Sequence, residues 1–211
     1  QMKNNKKIVT DKFLSKFCKE IKLPQVISFI GSTGVGKTTL LKQVISYLCY
    51  QKRLQFGFIF TNDPDDYKNF PKDFVQSYQF YEEQIERLIE YQKLYKEEGL
   101  ESQNVFIVFD DPISHVNFKS KVINKLFTQY RHYQITIILG YQHINATPPL
   151  IRNVMNYVFL FRMNSESSIN SCLDLVQTFY DNKNDAISDI KSLTNYEFNS
   201  YNRIKNTFTK H

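Results

Sequence analysis

The chain has 211 residues, 42% of them hydrophobic and 23% charged, which suits one folded domain with a proper core. No apolar run is long enough to span a bilayer, the lysine-bearing start is not expected to be a signal peptide, and Cys18, Cys49 and Cys172 form neither a metal pattern nor a disulfide framework, as expected in a reducing compartment. The net charge of +6 and pI near 9.0 suit a polyanionic partner, but beyond Lys3, Lys6 and Lys7 the basic residues are spread through a Lys-, Asn-, Ile-, Tyr- and Phe-rich chain, so charge alone selects no partner.

In chain order, residues 1–24 are polar, with a short helix expected over 11–20 and Pro24 handing the chain to a first strand. That strand, Val26–Ile30, is a short apolar run. A glycine-rich turn follows, and Leu40, Leu41, Val44, Ile45 and Leu48 then keep helical spacing to about Tyr50. Phe56–Thr61 reads as a second strand, closed by the turn-rich Asn62-Asp63-Pro64-Asp65-Asp66. A brief strand is expected within 71–79 and an exposed helix over 82–98, with Gly99 as its C-cap. Strand 104–109 ends in Asp110-Asp111-Pro112; a helix over 116–130, a strand over 135–140 and a short helix over 151–155 follow. A strand over Tyr157–Phe161 comes next, then helices over 164–179 and 185–193. The tail from Tyr196 fits no pattern. Strands alternating with helices predict an α/β fold, a mostly parallel sheet with helices on both faces. Right-handed crossovers then bring the strand C-termini to one rim. Residues 1–24 read as an extension and 25–211 as a single domain.

The chemistry gathers on that rim. Gly31-Ser32-Thr33-Gly34-Val35-Gly36-Lys37-Thr38 fits the G-x-x-x-x-G-K-[ST] phosphate-binding loop, and Thr39 continues it into the helix. Three of the chain's six glycines lie in this stretch. Such a loop turns successive N–H groups toward one centre, and the helix that follows adds free donors and its positive end. Lys37 places a charge near the β and γ phosphates, and the Thr38 hydroxyl is a Mg²⁺ ligand of the expected kind. Asp110, at the end of a buried strand, would hold the Mg²⁺ shell with Thr38; Asp111 would orient or deprotonate an attacking water. Gln142, just past a strand, can hydrogen-bond both water and γ-phosphate. Arg131 and Arg152 have the forked guanidinium that stabilises phosphoryl-transfer charge, for a neighbouring subunit's nucleotide, though either also suits a surface helix. Asn182-Lys183-Asn184-Asp185 spells a guanine-reading motif, but no buried strand precedes it and no D-x-x-G follows the acid strand, so it reads as a decoy and the GTPase reading is disfavoured. His115, His132 and His143 show no metal spacing.

Together with Val105–Asp111, Arg131-His132 and Pro149-Leu150-Ile151-Arg152-Asn153, the loop resembles the FtsK–HerA superfamily, and within it the packaging ATPases of large double-stranded DNA viruses and virophages. The resemblance covers roughly Gln25–Met163. It implies a P-loop NTPase of the RecA-like, additional-strand kind, with strand Phe56–Thr61 between loop strand and acid strand in the chain. It implies ATP and Mg²⁺ as ligands, and a homo-oligomeric ring of five or six subunits that completes each site with a neighbour's arginine. It further implies double-stranded DNA gripped without base reading, and a capsid or membrane protein at the packaging vertex. The setting would be the host cytoplasm or viral factory, with the virion as a further location. Where many cellular members carry Glu, the second acid is Asp111. A different nucleic-acid ATPase, such as a helicase or helicase loader, shares the whole ATP site, and a non-enzymatic, nucleotide-dependent assembly protein is the third reading.

Overall fold

The computed structural model describes residues 2–70, 74–77, 80–100, 103–111, 116–145 and 147–211, with backbone alone for 2–10 and 74–77. The expected basic group Lys3, Lys6 and Lys7 therefore lies outside the described side chains, and His115 outside the described residues. Strand β1 (Val26–Ile30) leads through the glycine turn into helix α2 (Lys37–Tyr50), preceded by α1 (Met2–Glu20). Then come β2 (Phe56–Thr61), a 3₁₀ turn over Pro64–Tyr67, β3 (Phe74–Ser77), α3 (Glu82–Glu97), β4 (Val105–Asp110), α4 (Lys121–Gln129) and β5 (Ile135–Tyr141). The chain continues with α5 (Pro149–Val154), β6 (Tyr157–Phe161), α6 (Glu166–Val176), a 3₁₀ turn over Gln177–Phe179, α7 (Lys183–Ser192), β7 (Phe198–Asn202) and β8 (Thr207–Lys210).

Among the described residues eight strands form one sheet in the order β3-β2-β4-β5-β1-β6-β7-β8. The six from β3 to β6 pair in parallel, while β7 and β8 add an antiparallel edge. The apolar runs are continuous because both faces are buried. In β4, Val105, Ile107 and Phe109 face a core made with α3, α4, α6 and α7, while Phe106 and Val108 face α1 and α2. Phe13 and Phe17 of α1 pack edge-on against Phe159. Gly57 lies opposite Phe106, and a Cβ there would stand 2.2 Å from the Phe106 carbonyl oxygen. Backbone cannot yield as a flexible side chain does, so Gly57→Ala should cost about 1–3 kcal/mol. Thermal unfolding should show this as a Tm lowered by roughly 2–4 °C per kcal/mol; an unchanged Tm would mean that the two strands separate freely here.

Several boundaries differ from the sequence expectation, each for a local reason. Helix α1 starts nine residues earlier than expected, at Met2 instead of residue 11. Helix α4 starts at Lys121 instead of 116, because the Ser120 side chain accepts the Ile123 N–H (3.2 Å) and caps it there. Ser165 likewise caps α6 through the Ser168 N–H (3.2 Å), and the chain tightens to 3₁₀ after Val176. Gly99 follows α3 at φ +69, with its N–H on the Lys96 carbonyl and the Leu100 N–H on that of Tyr95, a glycine-closed helix end as expected. The uncalled tail supplies β7 and β8. Within the sheet, the strand separating β1 from β4 is β5, whereas β2 lies on the far side of β4. In the chain β2 lies between β1 and β4, but order along the chain does not fix order across a sheet.

Candidate active site

At the β1 C-terminus the loop is anchored by backbone. The Gly31 N–H donates to the Tyr141 carbonyl (3.1 Å) and the Ser32 N–H to that of Arg162 (3.0 Å). The Asn164 N–H donates to Ser32 Oγ (3.1 Å). Gly36 precedes α2 in the left-handed region at φ +106, a conformation side chains rarely adopt. Lys37 is only 5% exposed and its Nζ donates to the Ser32 carbonyl (2.9 Å). Burial lowers its pKa from the ordinary lysine value, while the charges of Asp111 and Asp110 act against that.

Asp110 ends β4 in register with Gly140 of β5, at the same level as Phe29 of β1. A Cβ on Gly140 would stand 2.4 Å from Asp110 Oδ1, so the missing side chain makes room for the carboxylate. Asp110 Oδ2 accepts the Tyr67 hydroxyl (2.8 Å), while Oδ1 is buried without a hydrogen bond. Burial raises the Asp110 pKa, the Tyr67 hydrogen bond counters it, Asp111 adds to the rise, and Lys37 and the Thr38 hydroxyl lower it again. Burial likewise pushes the Tyr67 phenol far above its ordinary value, so it stays a donor. An orphaned carboxylate oxygen beside a hydroxyl is costly in a dry site unless a cation answers it. Mg²⁺ asks for this donor set, one or two carboxylates and a hydroxyl, with substrate phosphates and water completing it. Among the described residues no group of three or more His, Cys, Asp or Glu forms a dedicated metal cage.

Asp111 takes the left-handed conformation at φ +50. Its N–H donates to the Gly140 carbonyl (3.0 Å) and its own carbonyl accepts Asn62 Nδ2 (2.7 Å), which fixes the turn. Backbone strain of this kind persists where surroundings over-determine it, as at functional sites. The side chains then form a short relay. Gln142 Nε2 donates to Asp111 Oδ2 (2.6 Å), and Gln142 Oε1 accepts the Thr33 hydroxyl (2.9 Å). One amide thus joins the phosphate loop to the second acid.

Neither predicted arginine reaches this cluster. Arg131 is exposed just before β5, on the rim opposite the loop, with its Nε on the Tyr130 hydroxyl (2.9 Å) and its guanidinium over that ring. Arg152 is ion-paired with Asp174 (2.7 Å), and its carbonyl accepts Arg203, which follows β7 near the start of β6. The guanine-reading decoy has a plain structural part: Asn182 Oδ1 accepts the Asp185 N–H (3.0 Å) and caps α7. Cys18, Cys49 and Cys172 are free, with thiol pKa values pushed up to about 12, mainly by burial, and are poor nucleophiles. Sequence reasoning missed Tyr67, Thr33 as Gln142's partner, and Asn62. The turn-rich run at 62–66 was the one signal pointing to Asn62.

A family model described as the Poxvirus A32 protein matches residues 15–194. Protein 075L of Invertebrate iridescent virus 6 is 32% identical over 150 residues, 68% of this chain and 56% of that protein. Protein 015R of Frog virus 3 is 27% identical over 169 residues, 77% of this chain and 48% of that protein. The chain spans about half the length of these curated relatives. Among solved structures, the genome packaging NTPase B204 of Sulfolobus turreted icosahedral virus 2, in complex with ATP-γS, matches with a TM-score of 0.70 at 18% identity, over 90% of this chain and 98% of that one. The cytoplasmic domain of the type VII secretion ATPase EccC of Thermomonospora curvata matches with a TM-score of 0.60 at 15% identity, over 88% of this chain and 25% of that one. At such identities the likeness shows the fold, that of the P-loop ATPases. The resemblance read from the motifs points the same way as the family model, which covers most of the chain: it belongs to the Poxvirus A32 protein family.

Proposed function

We propose that the chain is an ATP-hydrolysing motor that drives double-stranded viral DNA into a preformed capsid. The observation that carries this reading is the relay Thr33–Gln142–Asp111, which couples a phosphate loop to a second acid on a fold shared with a genome packaging NTPase. Backbone N–H groups of Thr33–Thr39 cradle the phosphates, while those of Gly31 and Ser32 anchor the loop to its neighbours, and Lys37 neutralises charge on the γ-phosphate. Asp110 and Thr38 would hold Mg²⁺, which when bound would offset phosphate charge. Asp111 accepts a proton as water attacks the γ-phosphorus; the bond to the β,γ-bridging oxygen breaks and ADP departs with that oxygen. Gln142, hydrogen-bonded to both Asp111 and Thr33, registers whether the γ-phosphate is present.

The same reading includes a homo-oligomeric ring, in which Arg131 or Arg152, both away from their own loop, would serve another subunit's nucleotide. Contacts to DNA would be to its backbone and salt-dependent, in keeping with a pI near 9.0. A capsid or membrane protein at the packaging vertex would dock the ring, within the host cytoplasm or viral factory. No helix among the described residues is long and apolar enough to cross a membrane. The test is the ATPase rate with blunt duplex, with single-stranded DNA and with no DNA. Stimulation by blunt duplex is expected. Stimulation by single strand alone would replace the packaging reading with a helicase, and nucleotide binding without turnover would point to an assembly protein.

A further inference from the structure

The turn between α7 and β7 ends against the phosphate loop. Its Tyr196 N–H donates to the Val35 carbonyl (2.9 Å). A Cβ on Gly36 would stand 2.7 Å from Cδ1 and 3.3 Å from Cε1 of Tyr196, so the ring edge rests on the glycine at the mouth of α2. The turn is tied from both sides: the Glu197 N–H donates to the Thr194 carbonyl (3.2 Å), and the Thr194 N–H to the Glu197 carboxylate (2.8 Å). Tyr196 itself sits at φ +68, in the left-handed region that bulky residues avoid. Yet the residue is 62% exposed, and among the described residues its ring meets no other ring and its hydroxyl makes no hydrogen bond. A large ring held in a strained turn, with most of its surface in water, gains little from the fold. It sits against Val35 and Gly36, where the loop opens into α2.

We propose that Tyr196 is the platform on which the base of the bound nucleoside triphosphate stacks. This rests on the reading of Gly31–Thr39 as the phosphate cradle and adds to it the part of the ligand the cradle leaves unread. A π-face accepts any base, and stacking reads no hydrogen-bonding edge. The platform therefore distinguishes a nucleoside triphosphate from a bare phosphate chain and chooses weakly between ATP and GTP. Tyr196 lies outside residues 15–194, the stretch matched by the family model.

Calorimetric titration of the full chain with ATP, GTP and inorganic tripolyphosphate tests this. Tyr196→Ala should weaken ATP and GTP about 10-fold, equivalent to about 1.4 kcal/mol, and leave tripolyphosphate within about twofold. Tyr196→Phe, which keeps the ring, should restore nucleotide affinity. Lys37→Ala should weaken all three ligands, which separates the cradle from the platform. Unchanged ATP affinity in Tyr196→Ala overturns the proposal, as do equal losses for ATP and tripolyphosphate, which would make the ring a support for the loop. A wild-type chain that binds tripolyphosphate as tightly as ATP also overturns the platform while leaving the cradle intact. One that binds neither overturns the cradle, and the platform with it.

Discussion

Asp111→Asn should leave ATP bound at near wild-type affinity while turnover falls at least about 100-fold, the usual loss when a general base is removed. The substitution suits the question because the two side chains have the same shape. Asn tolerates the left-handed backbone better than most residues, so the φ of +50 costs it little. Its amide oxygen can still accept the Gln142 Nε2 hydrogen bond that Asp111 Oδ2 now accepts at 2.6 Å. What the amide cannot do is take a proton from water. Steady-state ATPase rates together with nucleotide titration separate the two effects, and normal turnover in the variant would remove Asp111 from its assigned role. A variant that loses binding as well would instead make Asp111 part of the site's architecture.

The parts of this site that were legible in the sequence are those fixed by local spacing. Gly31, Gly36, Lys37 and Thr38 belong to one turn, and Asp110 directly follows a run whose burial on both sheet faces marks it as a central strand. Strands β1, β2, β4, β5 and β6 could be read for the same reason, as short apolar runs bounded by turn residues. Partners joined across the sheet could not be read this way. Tyr67 reaches Asp110 from 43 positions away because the 3₁₀ turn after β2 folds over the end of β4. Thr33 meets Gln142 because β5 lies beside β1, and no local pattern fixes strand order.

The tail was opaque for a different reason. Phe198-Asn199-Ser200-Tyr201-Asn202 carries Asn and Ser, which are poor strand formers in isolation. It becomes a strand by pairing with β6, burying Phe198 and Tyr201 on opposite cores. The early start assigned to α4 has the opposite cause. Val116 and Phe118 are buried, as helix-facing residues would be, but from irregular chain ahead of the Ser120 cap. In the tail tertiary pairing decided what local preference left open, whereas at α4 a local cap set a boundary that the burial pattern alone would misplace.

Lys37→Ala should abolish measurable turnover, a loss of about 10³-fold or more, because the removed ammonium faces both the charge of the bound phosphates and the further charge that develops during phosphoryl transfer. It should also weaken nucleotide binding, which Asp111→Asn should not. Lys37 is buried, and the charges of Asp111 and Asp110 favour its protonated form. The same variant can test the shared site. Arg131 and Arg152 both lie toward the rim opposite the loop, so neither can serve its own nucleotide without large rearrangement. Arg152 would first have to leave Asp174, whereas Arg131 rests exposed on Tyr130. If sites are completed in trans, mixing Lys37→Ala subunits with Arg131→Ala or Arg152→Ala subunits restores activity. The Lys37→Ala chain donates an intact arginine to a neighbour whose own loop is whole. Rescue by one arginine variant and not the other identifies the finger. If neither mixture recovers ATPase activity while both variants still assemble, each subunit hydrolyses ATP with its own residues, and the two arginines must be assigned to the surfaces on which they now rest.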